Sequence, residues 1–250
     1  MIIWKNYSRL PIINYRFPKF MKDFSQLEEI IGIKFKDINF LKQSVVHRSY
    51  LNEHPDFELR HNERLEFLGD AVLEIIVTET LYHDFSDTPE GDLTNWRASL
   101  VNYKMLATVA NELGIEKYLY LSKGESKDKH SKARQYILAN AMEAIIGAIY
   151  LDQGVKPAKK FVKQFILSKL DNILTNKLYL DPKSKFQEKS QELYGITPHY
   201  KVLSESGPDH AKNFVVGLYL NNEQISQGEG TSKQEAQVAA ATEGVINKNW

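Results

Sequence analysis

"HNERLEFLGDAVLEII", residues 61–76, decides how the chain is read. Set on a helix, Glu63, Glu66 and Asp70 fall at i, i+3 and i+7, so three carboxylates share one face. Like charges at that spacing cost an isolated helix about 0.2–0.5 kcal/mol per pair. Leu65, Phe67, Leu68, Ala71 and Val72 leave little polar surface around them. One reading is a solvated acidic stripe neutralised by Arg64 or its neighbours. The other is a site for a hard cation such as Mg2+, which takes carboxylate oxygens while keeping waters and binding phosphate oxygens. Spacing alone leaves both open.

A second stretch bears on the choice. In "ILANAMEAIIGAIY", residues 137–150, apolar positions recur every three to four residues, but Asn140 and Glu143 interrupt them. Either these two lie on the wet side of an amphipathic helix, or they face a site completed from elsewhere in the chain.

Composition narrows the class. The 250 residues are 42% hydrophobic and 26% charged, enough to bury a core in one large domain or two. The longest uncharged apolar runs fall well short of the ~20 residues a spanning helix needs, and no basic head with an apolar core suggests a signal peptide. We therefore expect a cytoplasmic protein with no membrane partner. The absence of cysteine excludes disulfides and thiolate zinc sites, leaving any metal to carboxylates, amides and the seven histidines. A net charge of zero is awkward for a nucleic-acid binder relying on bulk charge. An acidic cluster between Glu53 and Glu79 can instead hold a cation that meets a polyanion.

The breaks give the organisation. Residues 1–22 carry five basic residues, no acid and two prolines, and read as a loosely ordered extension, with Met21 an alternative start. From Phe24 to about Asn176 the pattern is helical throughout, with single helices expected over "DINFLKQSVVHRSYLNE", "EGDLTNWRASLVNYKMLATVANELG" and "KPAKKFVKQFILSKLDNIL". Residues 123–132 read as a solvated, charge-rich loop, and Glu74 as an exposed acid. After "TNKLYLDP", one helix over 183–195 precedes three alternating stretches and a closing helix rich in small residues, with Thr231 or Ser232 as its cap. An α-β-β-β-α order favours an antiparallel sheet with both helices on one face. Ala236, Ala239 and Ala240 read as helix-on-sheet packing.

At this point the motifs resemble a known family. "HRSYLNE", "HNERLEFLGDAVL", "EGDLTNWRASLVN" and "ILANAMEAIIGAIYLDQG" are similar, in order and approximate spacing, to ribonuclease III proteins of the bacterial type. "DPKSKFQEKSQELYG", "GPDHAKNFVV" and "GTSKQEAQVAAATEGV" resemble a double-stranded-RNA-binding domain. The resemblance covers roughly residues 25–247. It implies an all-α endonuclease domain over 23–175, a linker over 176–182 and a small α+β domain over 183–250.

The resemblance also implies roles. Glu66, Asp70, Asn140 and Glu143 match metal-site positions, with Asp70 and Glu143 the two tied most closely to catalysis, and Glu63 matches a further acid of the cleavage valley. Phe67 matches an aromatic that packs into a second subunit of a homodimer. Ser184, Gln187, Glu188 and Gln191 match the minor-groove face of an RNA-binding helix, His210 a groove-entering loop and Lys233 a phosphate contact. Gln234 stands where a second lysine is common, which implies modest affinity from this module alone. His47 and Arg48 lie in a family motif without an assigned chemistry. The implied cofactor is Mg2+, with Mn2+ as a substitute. The implied partners are duplex RNA and a second copy of the chain, with no small-molecule cofactor. The implied activity is cleavage of double-stranded RNA to 5′-phosphate and 3′-hydroxyl ends, in RNA processing such as ribosomal precursor maturation.

Asn140 departs from the pattern, because the family has Asp there. An amide oxygen can still ligate Mg2+ but brings no charge. The alternative is therefore a catalytically weakened homologue that binds duplex RNA in a ribosome- or ribonucleoprotein-associated role.

Overall fold

Helix α8 (Lys132–Gln153) is the axis of the first module. From Ile137 to Ile149 every residue is buried except Asn140 and Glu143. A helix apolar nearly all round must be wrapped by others. The wrapping is seen in a computed structural model that describes residues 22–128, 131–208 and 212–250. α1 (Phe24–Ile31), α2 (Ile38–Ser44) and α3 (Arg48–Glu53) lead into α4 (Glu63–Asp84). α5 (Glu90–Val101), α6 (Tyr103–Glu112) and the short α7 (Lys123–Lys127) precede α8, and α9 (Val155–Phe165) and α10 (Leu170–Thr175) follow it. α4 and α6 are the chief neighbours of α8.

The period-based expectation of long single helices is corrected in three places. The 37–53 stretch breaks after Ser44 because Val45 and Val46 leave the helix to pair with Tyr120, the Tyr120 amide donating to the Val45 carbonyl at 2.8 Å. Asn62, 4% exposed, holds that break by donating to the Ser44 carbonyl at 3.1 Å. The 90–114 stretch breaks at Asn102, whose extended backbone (ψ 157°) ends α5 and whose side chain caps α6 by accepting from Met105. The 156–174 stretch breaks at Ile166, where a 3-10 turn separates α9 from α10.

Two further expectations are refined. The described residues of the charge-rich 123–132 stretch are mostly exposed, as expected, but 123–127 is a helix rather than a loop, and buried Arg134 reaches back to the carbonyls of Glu125 and Asp128 and lies 3.7 Å from the Glu116 carboxylate. Lys22 is likewise fastened, donating to the Leu119 carbonyl with its ammonium 4.5 Å from the centre of the Tyr120 ring. The rest of the expected extension, residues 1–21, lies outside the described residues.

The second module begins at α11 (Pro182–Tyr194), capped by Asp181 with Pro182 in its first turn. β1 (His199–Ser206), β2 (Asn213–Leu220) and β3 (Glu223–Gly230) form an antiparallel sheet in that order. α12 (Lys233–Lys248) closes the module with Ser232 as its cap, accepting from Glu235. Phe186 of α11, Leu218 and Leu220 of β2 and Ala240 of α12 make its small core. A Cβ at Gly228 would lie 2.2 Å from the Ala240 nitrogen, so the small residues set how closely α12 approaches the sheet. Ala236 and Ala240 are fully buried there, and Ala239 partly. No helix among the described residues is long and apolar enough to cross a membrane.

Candidate active site and RNA-binding face

Two glycines bring the acids together. A Cβ on Gly69 of α4 would sit 1.7 Å from the Glu143 carbonyl oxygen, and one on Gly147 of α8 would sit 2.2 Å from the Leu65 carbonyl oxygen. With no side chain at either point the helix backbones touch. Glu66 and Asp70 therefore emerge from α4 beside Asn140 and Glu143 from α8, along one seam.

Electrostatics report the same convergence. Burial, then the charges of Asp70 and Glu66, raise Glu143 from 4.5 to about 8. Glu66 is also raised, first by burial and then by Glu63 and Asp70, while a hydrogen bond from Asn140 favours its charged form. Asp70 is exposed at the rim. Among the described residues no three His, Asp or Glu side chains are grouped tightly enough to hold a metal ion as they stand. The donor set nonetheless suits a hard cation, with three carboxylates, an amide oxygen and a mutual repulsion that positive charge would relieve.

The outlying acids have protein partners. Glu63 is half-exposed and meets Arg48 at 3.6 Å and His61 at 3.7 Å, so its partner is Arg48 rather than Arg64. Glu74 is not merely exposed: Arg97 of α5 lies 3.2 Å away and also donates to Thr78. Neither pair is obvious from local sequence, because Arg48 and Arg97 arrive on other helices. His47 caps α3, accepting from the Ser49 amide and meeting its hydroxyl at 2.8 Å, which is a structural role.

Phe67 is 80% exposed at the start of α4. It rims a groove of about 1010 Å³ whose lining includes Phe40, Phe57, Leu59, Leu68 and Leu151. An aromatic this exposed beside an apolar groove is unusual on a surface that meets only water.

In the second module Ser184, Gln187, Glu188 and Gln191 all lie exposed on α11, and Gln191 donates to Thr197 at 3.3 Å. Lys233 is exposed in the first turn of α12, its ammonium 5.8 Å from the Phe214 ring centre. His210 lies outside the described residues.

Comparison with known proteins agrees with both modules. A Ribonuclease-III-like family model matches residues 37–170, and a double-stranded RNA binding motif matches residues 182–247. Ribonuclease 3 of Dehalococcoides mccartyi is 39% identical over 223 residues, covering 89% of this chain and 94% of that one. Ribonuclease 3 of Natranaerobius thermophilus is 43% identical over 220 residues, covering 88% and 94%. A solved nuclease domain of Campylobacter jejuni ribonuclease III, described for flexibility in a region involved in dimer formation, matches with a TM-score of 0.53 at 40% identity. It covers 58% of this chain and 97% of that one.

A helical module with an acid-lined seam, followed by a duplex-RNA-binding module, defines a nuclease that acts on double-stranded RNA. The chain belongs to the ribonuclease III family and is an endoribonuclease of that family.

Proposed function

We propose that the Glu66, Asp70, Asn140 and Glu143 seam holds Mg2+, or Mn2+ in its place, and that the chain cuts duplex RNA there, one strand per protomer of a homodimer. The observation that carries this reading is Glu143, an acid raised to about 8 by burial and by Asp70 and Glu66, with no basic partner for these acids among the described residues. A carboxylate so placed is destabilised until positive charge arrives. When bound, a divalent cation lowers the pKa of water and neutralises charge on the phosphate.

The chain's own residues do the rest. Asp70 and Glu143 would supply carboxylates from two helices, which the Gly69–Gly147 crossing brings close enough for the charge of Asp70 to raise Glu143. Asn140 partly offsets the upward push on Glu66 by a hydrogen bond that favours its charged form, and would offer its carbonyl as a neutral ligand. Water adds in line at phosphorus and the bond to O3′ breaks, leaving a 5′-phosphate and a 3′-hydroxyl, with no part for the ribose 2′-hydroxyl as nucleophile. Glu63, paired with Arg48, borders the valley. Phe67 seats in the groove of a second copy, a self-complementary arrangement that two-fold symmetry satisfies twice. Ser184, Gln187, Glu188 and Gln191 meet a minor groove and its 2′-hydroxyls, His210 a second groove, and Lys233 a phosphate. The cellular role is processing of structured RNA in the cytoplasm, ribosomal precursors among it.

Asn140 also favours a second reading, a duplex-RNA binder with weak catalysis. Mg2+ titration against a long RNA duplex separates the two, using the parent, Glu143→Gln and Asn140→Asp. Cleavage by the parent that Glu143→Gln abolishes, with Asn140→Asp saturating several-fold lower in Mg2+, supports the enzyme reading. Duplex retention without cleavage at any Mg2+ concentration supports the second.

A further inference from the structure

α8 has one solvent-facing strip through its central turns. Asn140 and Glu143 are its members between Ile137 and Ile149, and the next accessible residue upstream on that line is Tyr136. Tyr136, Asn140 and Glu143 stand at i, i+4 and i+7, so the phenol lies on the carboxylates' own face, about 6 Å along the axis from Asn140.

Tyr136 is 44% exposed, and its ring stacks on Tyr103 of α6 with centroids 4.3 Å apart at 22°. Asn102, which caps α6, fixes where Tyr103 enters. Among the described residues neither phenol hydroxyl forms a hydrogen bond, and that of the exposed Tyr136 is accessible to a ligand. An exposed aromatic pair, one ring immobilising the other, with an uncommitted donor beside a row of acids, has a chemistry of its own. A lysine there would pair with the carboxylates and compete with a cation. A phenol donates to a phosphate or 2′-hydroxyl oxygen without cancelling their charge.

We infer that Tyr136, braced by Tyr103, is a substrate-positioning residue that donates its hydroxyl to the sugar-phosphate backbone of the RNA strand lying over the Asn140 and Glu143 seam. This rests on the reading of that seam as the cleavage site. The stacked ring limits the rotamers Tyr136 must lose on binding, so little ordering cost offsets the new hydrogen bond.

The test uses the full chain with Tyr136→Phe, Tyr136→Ala and Tyr103→Ala. Steady-state cleavage of a long duplex in Mg2+ should show KM raised about fivefold in Tyr136→Phe with kcat within twofold, the size expected for one net hydrogen bond. Tyr103→Ala should raise KM by a similar factor while leaving the hydroxyl in place. Duplex affinity is also measured on a Glu143→Gln background, which binds without cutting. There Tyr136→Phe should weaken binding about fivefold with an unchanged slope of log affinity against log salt, because the lost contact is neutral. Unchanged thermal melting excludes a packing effect, since Phe preserves the stack.

Unchanged KM and unchanged affinity in Tyr136→Phe overturn the inference. A loss confined to kcat, or an effect of Tyr136→Ala that Tyr136→Phe does not share, overturns it as well. If the parent fails to cleave, the cleavage-site reading fails by itself, and the affinity arm still decides whether Tyr136 touches RNA.

Discussion

Replacing Glu143 by Gln should stabilise the metal-free protein at alkaline pH while abolishing cleavage. The carboxyl titrates at 4.5 in isolation and at about 8 in the folded chain. Between those values the unfolded chain sheds the proton and the folded chain keeps it, so stability is fully present below 4.5 and is lost as pH rises through about 8. The interval of 3.5 from 4.5 to about 8, at about 1.4 kcal/mol per tenfold, caps the loss at about 5 kcal/mol. Glu143 keeps some contact with water, and solvent screening brings the expected figure to about 2 kcal/mol. Urea unfolding in EDTA, followed by helical circular dichroism from pH 5 to pH 9, measures it as the difference between parent and Glu143→Gln, in which other titrations cancel. The parent should lose about 2 kcal/mol relative to the variant across that range, and Mg2+ should return it to the parent alone. Parallel pH curves for the two proteins would refute the argument that Glu143 sits buried among like charges.

Three other outcomes follow from the geometry. Gly69→Ala drives a methyl into the Glu143 carbonyl, 1.7 Å from the ideal Cβ, and should destabilise the first module by about 3 kcal/mol or more in urea; a cost under about 1 kcal/mol would mean that α4 and α8 can separate freely. Phe67→Ala removes a ring that is 80% exposed, so melting of the dilute protein should barely change while sedimentation shows dimer affinity weakened tenfold or more. Lys233→Ala should reduce the salt slope of duplex binding by about one while leaving any sequence preference unaltered, and an unchanged slope would remove Lys233 from the phosphate contacts.

The legible parts of the fold were those fixed by short-range period. The burial of α4 and α8, the three strands and the Ser232 cap all follow from spacing within a dozen residues. The breaks at Val45 and Ile166 were not legible in the same way. Val45 and Val46 suit a helix until Tyr120, some 75 residues later, offers a competing backbone partner. Asn102 was closer to legible, since its side chain caps α6 locally and could have been read as a boundary. In the site, the residue types and their helical faces were visible, but the partners were not. Arg48 and Arg97 reach Glu63 and Glu74 from separate helices, and only the tertiary fold sets which acids are answered by an arginine. Tyr136 was legible in principle, being at helical spacing from Asn140 and Glu143. An aromatic in an apolar run nevertheless looks like core until its neighbours are known to face water.

The distribution of answered and unanswered acids explains how a chain of zero net charge can act on a polyanion. Glu63 and Glu74, at the two ends of the acidic face of α4, each have an arginine. Among the described residues the charges that bear on Glu66 and Glu143, between them, are those of Glu63, Asp70 and Glu66 itself, and the Asn140 amide is the group that favours the charged form of Glu66. Answering the outer acids concentrates the uncompensated charge at the seam, so on the proposed reading a cation would be drawn there rather than spread along α4. Replacing one potential carboxylate by Asn140 limits that charge further. The seam then holds less repulsion in the metal-free state and less attraction for the ion, and these shifts have a common cause. An Asn140→Asp variant must therefore move both together, destabilising the metal-free protein as it tightens the ion, and a variant that moved only one would separate the charge of residue 140 from its hydrogen bond to Glu66.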